Sequence, residues 1–415
     1  MPFIQSMKFL PLMLLVAAQC NQKPSSSGSP DGKTGEDSTP VQTAQNQFAF
    51  KLFKEVRRND NKPSNKLISP LSIYLDLSMA YNGAAGTTQK DMARALQLDG
   101  IQTRELNDIN RALVTGLSEK DSGVTLDIAS ALWYRNQGFQ PLGAFLKINS
   151  TYYHAKVTGA EFSPATVNQI NDWVADRTHQ KIKTIIEKIA PDDFMYLINA
   201  VYFKGRWKND FDPGKTQSRT FHISGQDTIM TPFMIKEDRF SYLQNDTLQM
   251  IELPYGNGDF NMYILLPSEQ NSISKLLANL NANSFTRYRE ALDSVKVRLR
   301  LPKWKYTYEV SNLKPELSSL GMGSAFTLQA DFSKMYPPSA GALISKVVHK
   351  TYIEVNEQGT EAAAATSIGI SLTSVRIDQP PLMDVNRPFI YIIAEKTSGA
   401  ILFIGELNNP AEGGK

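Results

Sequence analysis

The sequence predicts an α+β domain, and three observations carry that expectation. Apolar residues recur at helical spacing in the first part of the chain, they alternate strictly later on, and helices precede a region where strands predominate. Of the 415 residues, 41% are hydrophobic, and from residue 43 to about 410 the composition stays globular with no second low-complexity stretch. One large domain over 43–415 is expected, long enough to bury a substantial core. The 44 Lys and Arg nearly balance the 41 Asp and Glu, so no long-range field exists to grip nucleic acid. The single cysteine, Cys20, excludes an intramolecular disulfide. The four histidines show neither HExxH nor CxxC spacing, which argues against a metal site, and no cofactor is expected.

Taken in order, residues 1–20 have a secretory layout: Lys8, an apolar run from Phe9 to Ala18, then Cys20. The run is too short to span a bilayer core, which needs about 20 residues. Its end resembles the lipobox of bacterial lipoproteins, with Gln19 departing from the small residue usual there. Two outcomes stay open, a lipid anchor on Cys20 or simple secretion with a free thiol, and both place the protein outside the cytoplasm. Residues 21–42, rich in Ser, Gly, Pro and charge, read as a flexible tether. Ala44, Phe48, Leu52 and Val56 then mark one face of an opening helix. Ser69-Pro70 is an N-cap followed by proline at the first helical position, opening a helix through Ser72, Ile73, Met79 and Ala80. A further helix is expected near 167–187, through Ile170, Trp173, Val174 and Ile182.

Strands follow. Tyr196–Phe203 and Phe260–Leu266 are continuous apolar runs, as in strands covered on both faces. Asn257-Gly258 before the second run marks a hairpin turn. Val295, Val297, Leu299 and Leu301 alternate with Lys296, Arg298 and Arg300, the signature of one wet face. Catalytic motifs are absent: Gly32-Lys33-Thr34 and Gly214-Lys215-Thr216 lack the earlier glycine of a phosphate-binding loop, and no GxSxG occurs. No enzyme is visible.

The informative stretch is 350–377. Tyr352 to Val355 alternate as a strand, and the character changes at Glu357. From Gly359 to Thr366 every residue except Glu361 is small and uncharged: Thr360, Ala362, Ala363, Ala364, Ala365. Such a segment can enter a β-sheet with little clash. If it does, Thr360, Ala362, Ala364, Thr366, Ile368 and Ile370 share the inward face, and Glu361 lies on the other. Taken by itself, the same stretch also reads as an Ala-rich helix.

Here the chain resembles the serpin family. EQGTEAAAAT is similar to the serpin hinge, and NRPFIYIIAEKTSGAILFIGELNNP, Asn386–Pro410, to the family signature. Asn65 with Ser69-Pro70-Leu71-Ser72-Ile73 resembles the start of the shutter helix, and Asn171-Asp172-Trp173-Val174 through Ile182 a sheet-lining helix. Leu197–Asn199, Phe203-Lys204-Gly205 and Trp207 resemble the breach strand, and Leu301-Pro302-Lys303 a family Leu-Pro-Lys. The resemblance spans 43–410. It implies three β-sheets, eight or nine helices and an exposed reactive-centre loop on a metastable monomer. A protease cleaves that loop, the released strand inserts into the main sheet, and the acylated protease is carried off and deformed. The partner implied is a target serine protease held as a covalent acyl complex.

The resemblance also implies residue roles. Gly359 supplies the hinge torsion, and Thr360 is the first side chain buried on insertion. Glu357 pairs with Lys303 and clamps the breach beneath Trp207. Ser69, Ser72, Asn199 and His349 form the shutter network. The reactive bond is Thr373-Ser374 when counted forward from Glu357, and near Ile377 when counted back from Phe389, with Val375 and Arg376 between. Thr373 or Val375 suits an elastase-like enzyme and Arg376 a trypsin-like one; papain-like cysteine proteases are further candidates. The alternative is a non-inhibitory binding protein on the same fold, whose loop is cut without trapping anything.

Overall fold

Thr39 caps the first helix, α1 (Pro40–Asn59): its hydroxyl accepts the Gln42 N–H at 3.3 Å, and the Gln42 side chain accepts the Thr39 N–H at 2.9 Å. Pro40–Gln42, expected in the tether, are therefore the first turn of a helix. The computed structural model describes residues 39–412 apart from 139, 225–226, 338–340 and 361–378. Cys20 and the expected leader, most of the expected tether, Glu361–Ala365 and the expected reactive bond from Thr373 to Ile377 lie outside the described residues.

Ala44, Phe48, Leu52 and Val56 are buried as their spacing predicts. The next helix, α2 (Pro70–Tyr81), is buried on every side. Ser69 occupies its N-cap position, but its side chain makes no capping bond. The remaining helices are α3 (Gly86–Ala95), α4 (Thr103–Glu119), α5 (Gly143–Tyr152), α6 (Pro164–Arg177), α7 (Ile273–Asn279), α8 (Ala282–Glu290) and the short α9 (Lys314–Leu317). The helix expected over 167–187 is α6, and it ends at Arg177. The Thr178 hydroxyl donates to the Val174 carbonyl (2.8 Å) and accepts the Ile182 N–H (3.2 Å), while His179 and Gln180 take φ of 50° and 64°. Left-handed residues at that point stop a helix. Ile182, Ile185 and Ile186 still bury against the sheet, so irregular chain satisfies the apolar spacing.

The strands in chain order are β1 (Lys66–Ile68), β2 (Val124–Arg135), β3 (Lys156–Ala160), β4 (Met195–Arg206), β5 (Gln217–Ser224), β6 (Asp227–Gln244), β7 (Leu248–Pro254), β8 (Phe260–Pro267), β9 (Asp293–Pro302), β10 (Trp304–Val310), β11 (Lys346–Asn356), β12 (Gly359–Thr360), β13 (Leu382–Asp384), β14 (Phe389–Glu395) and β15 (Ile401–Leu407). The main sheet runs β10-β11-β12-β4-β2-β3. A second group, β1-β15-β14-β8-β7, joins a third, β6-β9-β13 with β5, through only the last three residues of β6 (Tyr242–Gln244 against β7). The long β6 thus ties two of the expected three sheets together.

The main sheet is covered on both faces. On one side Ile170 and Val174 of α6 pack on Ala129, Ala131, Trp133 and Ile198. On the other, Leu197 and Val201 of β4 join the large core with α1, α2 and the second sheet. Double cover explains why β4 reads as a continuous apolar run. On β9, Val297, Leu299 and Leu301 are buried, while Lys296, Arg298 and Arg300 are only partly so.

Candidate functional site

Two strands of the main sheet meet along a seam. β11 and β4 run parallel and pair from Lys346–Tyr196 to Thr351–Val201. Above that point β12 wedges between them, antiparallel to both: Thr360 lies opposite Val355 and Gly205, and Gly359 opposite Asn356 and Arg206. Gly359 has φ of +146°, and a Cβ there would meet the Gly205 carbonyl oxygen at 2.1 Å. Only glycine takes that torsion and that approach.

Thr360 was expected to be the first side chain buried on insertion. It is already in the sheet, 2% exposed, with its hydroxyl 2.6 Å from that of Tyr255. Burial pushes the Tyr255 phenol far above its usual range, so it stays protonated and able to donate.

The root of this wedge is held by three elements. The Trp207 ring stacks on Tyr255 at 4.5 Å and 11°, and its indole N–H donates to the Asn356 carbonyl (2.9 Å). Backbone N–H groups of Trp207 and Phe211 donate to the carbonyls of Gln358 and Glu357, both at 2.8 Å. The Glu357 carboxylate meets the Lys303 ammonium at 2.8 Å and accepts the Thr216 hydroxyl at 2.7 Å. Partial burial pushes the Glu357 carboxyl up, but hydrogen bonds from Lys303 and Thr216 outweigh it and hold the group below the usual carboxylate range. Lys303, Glu357 and Trp207 are thus brought together. Tyr255, Phe211 and Thr216 join them without having been singled out from sequence. No spacing links Thr216 to Glu357, and the one available hint was that Tyr255 stands beside the Asn257-Gly258 turn.

Under the parallel part of the seam, His349 and Asn199 are direct cross-strand partners. The Ser69 backbone N–H donates to His349 Nε2 (3.0 Å), so Nε2 is the acceptor and Nδ1 carries the proton. That Nδ1–H points at Asn199 Oδ1 (2.9 Å), which also accepts the Ser72 hydroxyl at 2.6 Å. Complete burial lowers the His349 pKa to about 3, so the imidazole is neutral. Three of the four expected shutter residues take part through side chains, and Ser69 takes part through its backbone.

A serpin (serine protease inhibitor) family profile matches residues 43–410. An uncharacterized serpin-like protein of Thermococcus kodakarensis is 34% identical over 385 residues, covering 92% of this chain and 88% of the relative. Among solved structures, the thermophilic serpin tengpin in its native state superposes with a TM-score of 0.83 at 32% identity, covering 93% of this chain and 97% of tengpin. Human thyroxine-binding globulin complexed with thyroxine gives 0.81 at 26%, covering 89% of this chain and 98% of that one. The chain belongs to the serpin family, whose members are generally protease inhibitors and not enzymes.

Proposed function

We propose that this chain is a suicide-substrate inhibitor of serine endopeptidases, working outside the cytoplasm where the leader would deliver it. The observation that carries this reading is the register of the seam. Continuing antiparallel from Thr360, residue 369 falls nine positions on, opposite Lys346 of β11 (355 − 9) and Tyr196 of β4 (205 − 9). Those two residues already pair with each other. One strand, 361–369, would therefore fill both ladders at once. On the Thr360 face it presents Ala362, Ala364, Thr366 and Ile368, small or apolar side chains suited to that side of the sheet.

Cleavage supplies the freedom to insert. The serine of the protease attacks a carbonyl between Leu372 and Ile377, the new amine leaves, and the ester travels with the inserting strand. With Thr373 as the acyl residue, 13 positions past Thr360 (373 − 360), the inserted strand would leave the ester about 45 Å from Thr360 at about 3.4 Å per residue. Thr373-Ser374 is the favoured bond, with Val375, Arg376 and Ile377 as alternatives. A non-inhibitory binding role, suggested by the likeness to thyroxine-binding globulin, is the second reading.

The test is to incubate the chain with elastase, trypsin and subtilisin, look for a complex surviving SDS, and map the cut by mass spectrometry. A stable complex cut between Leu372 and Ile377, from protein recovered outside the cytosol, is expected. Cleavage that leaves every protease active overturns inhibition, and recovery from the cytosol overturns the location.

A further inference from the structure

Asp76 sits in the middle of α2, fully buried, with the Ser130 hydroxyl and the Asn199 amide bearing on its carboxyl but no hydrogen bond of good geometry to either oxygen among the described residues. Two other buried polar groups nearby are equally unsatisfied: the Ser130 hydroxyl on β2 and the Asn199 amide nitrogen on β4. Ser130 and Asn199 are cross-strand neighbours. Asn199 uses its oxygen for Ser72 and His349 and so has two N–H groups to spare. Three elements thus leave one carboxyl, one hydroxyl and one amide together under the seam. The amide N–H groups and the serine hydroxyl can all donate and so favour a carboxylate, but complete burial favours the acid more strongly, and the acid's carbonyl oxygen still accepts from them.

Among the described residues, no charged group is among those that shift the Asp76 carboxyl. Of the titratable groups near this site, Tyr74 and Tyr81 are on α2 itself, Tyr153 follows α5, and His349 of β11 is bonded to Asn199. Burial keeps Tyr74 and Tyr153 protonated and His349 neutral. Of the charges on the elements packed against α2, Arg57 of α1 pairs with Glu406 of β15, Asp91 with Arg94 on α3, Asp108 with Arg111 on α4, Asp127 of β2 with His179, and Arg206 of β4 with Asp210. Burial pushes the Asp76 carboxyl well above the usual range, against a smaller downward pull from Ser130 and Asn199.

We propose that Asp76 is a positioning residue of the seam, an un-ionised acid that holds Asn199 and Ser130 in place, and that its ionisation loosens the β4–β11 contact. The consequence for protease trapping rests on the function proposed above; the proton linkage does not. Because the folded form keeps the proton that the opened form releases, stability from this group is complete at low pH and is lost as pH rises from about 4 toward the raised value.

The test compares the rate of unfolding in guanidinium of the wild-type chain and Asp76→Asn between pH 7 and 9, where any His349 contribution is common to both chains and cancels in their ratio. The wild-type to variant ratio should rise with pH, by up to about tenfold per unit. A ratio independent of pH overturns the proposal. Should Asp76→Asn fail to fold, the wild-type chain at pH 7 should show the infrared carbonyl band of a protonated acid that moves on 13C-aspartate labelling, and its absence overturns the proposal equally. Neither readout involves a protease, so a failed trap and a failed linkage are separately visible.

Discussion

The Lys303–Glu357 contact joins a side chain 35% exposed to one 12% exposed, so water screens it and its worth is modest. Its importance is one of place, since it ties β12's root to the residue that follows β9. Folded Glu357 ionises below the usual carboxylate range, so its contribution is present above that range and is lost as pH falls through the folded value. Glu357→Gln should cost about 1 kcal/mol at pH 7, read as unfolding about fivefold faster than wild type. In acid below the folded value the two chains should unfold at the same rate. A gap that persists unchanged there would mean that the carboxylate's charge plays no part.

At the scale of elements, β12 is two residues long, and its stability depends on backbone fit more than on side chains. Alanine at 359 would place a methyl group 2.1 Å from the Gly205 carbonyl oxygen and force an unfavourable torsion. Gly359→Ala should therefore expel β12, and amides of Val355–Thr360 should lose protection from hydrogen exchange. Those of Tyr196–Val201 and Lys346–Thr351 should keep theirs, because their parallel pairing does not involve β12. Undiminished protection at Val355 and Thr360 would show that the wedge tolerates a side chain. Elements of this kind explain what the sequence could and could not reveal. Helix α1 and strand β9 were legible because one face of each meets the core and the period shows it. The end of α6 was not, because apolar spacing continues through Ile186 while a threonine hydroxyl and two left-handed residues stop the helix. Family motifs located His349, Asn199 and Glu357, whereas Tyr255 and Thr216 reach the site through folding over more than a hundred residues. The early burial of Thr360 depends on how far the strands have already opened, which no local pattern encodes.

For the molecule as a whole, the seam is a slot left in a sheet that is otherwise packed on both faces. Parallel pairing of β4 with β11 is slightly weaker per residue than the antiparallel ladders an inserted 361–369 strand would form with both. On the function proposed above, a loop joined at both ends, to β12 and to β13, would be unable to deliver that strand in full, so the native state would persist by its barrier. Cutting between Leu372 and Ile377 removes the tether, and the cleaved chain should melt at a higher temperature than the intact one. Position 364 tests the register directly, since it would share the inward face with Thr360. In Ala364→Arg the inserted strand would bury an unpaired guanidinium, at a cost of several kcal/mol. That variant should still be cut, because the scissile bond is unchanged, but its melting temperature should not rise and no SDS-stable complex should form. If cleaved Ala364→Arg gains as much heat resistance as cleaved wild type, residue 364 does not face the core and the register drawn from β12 is wrong.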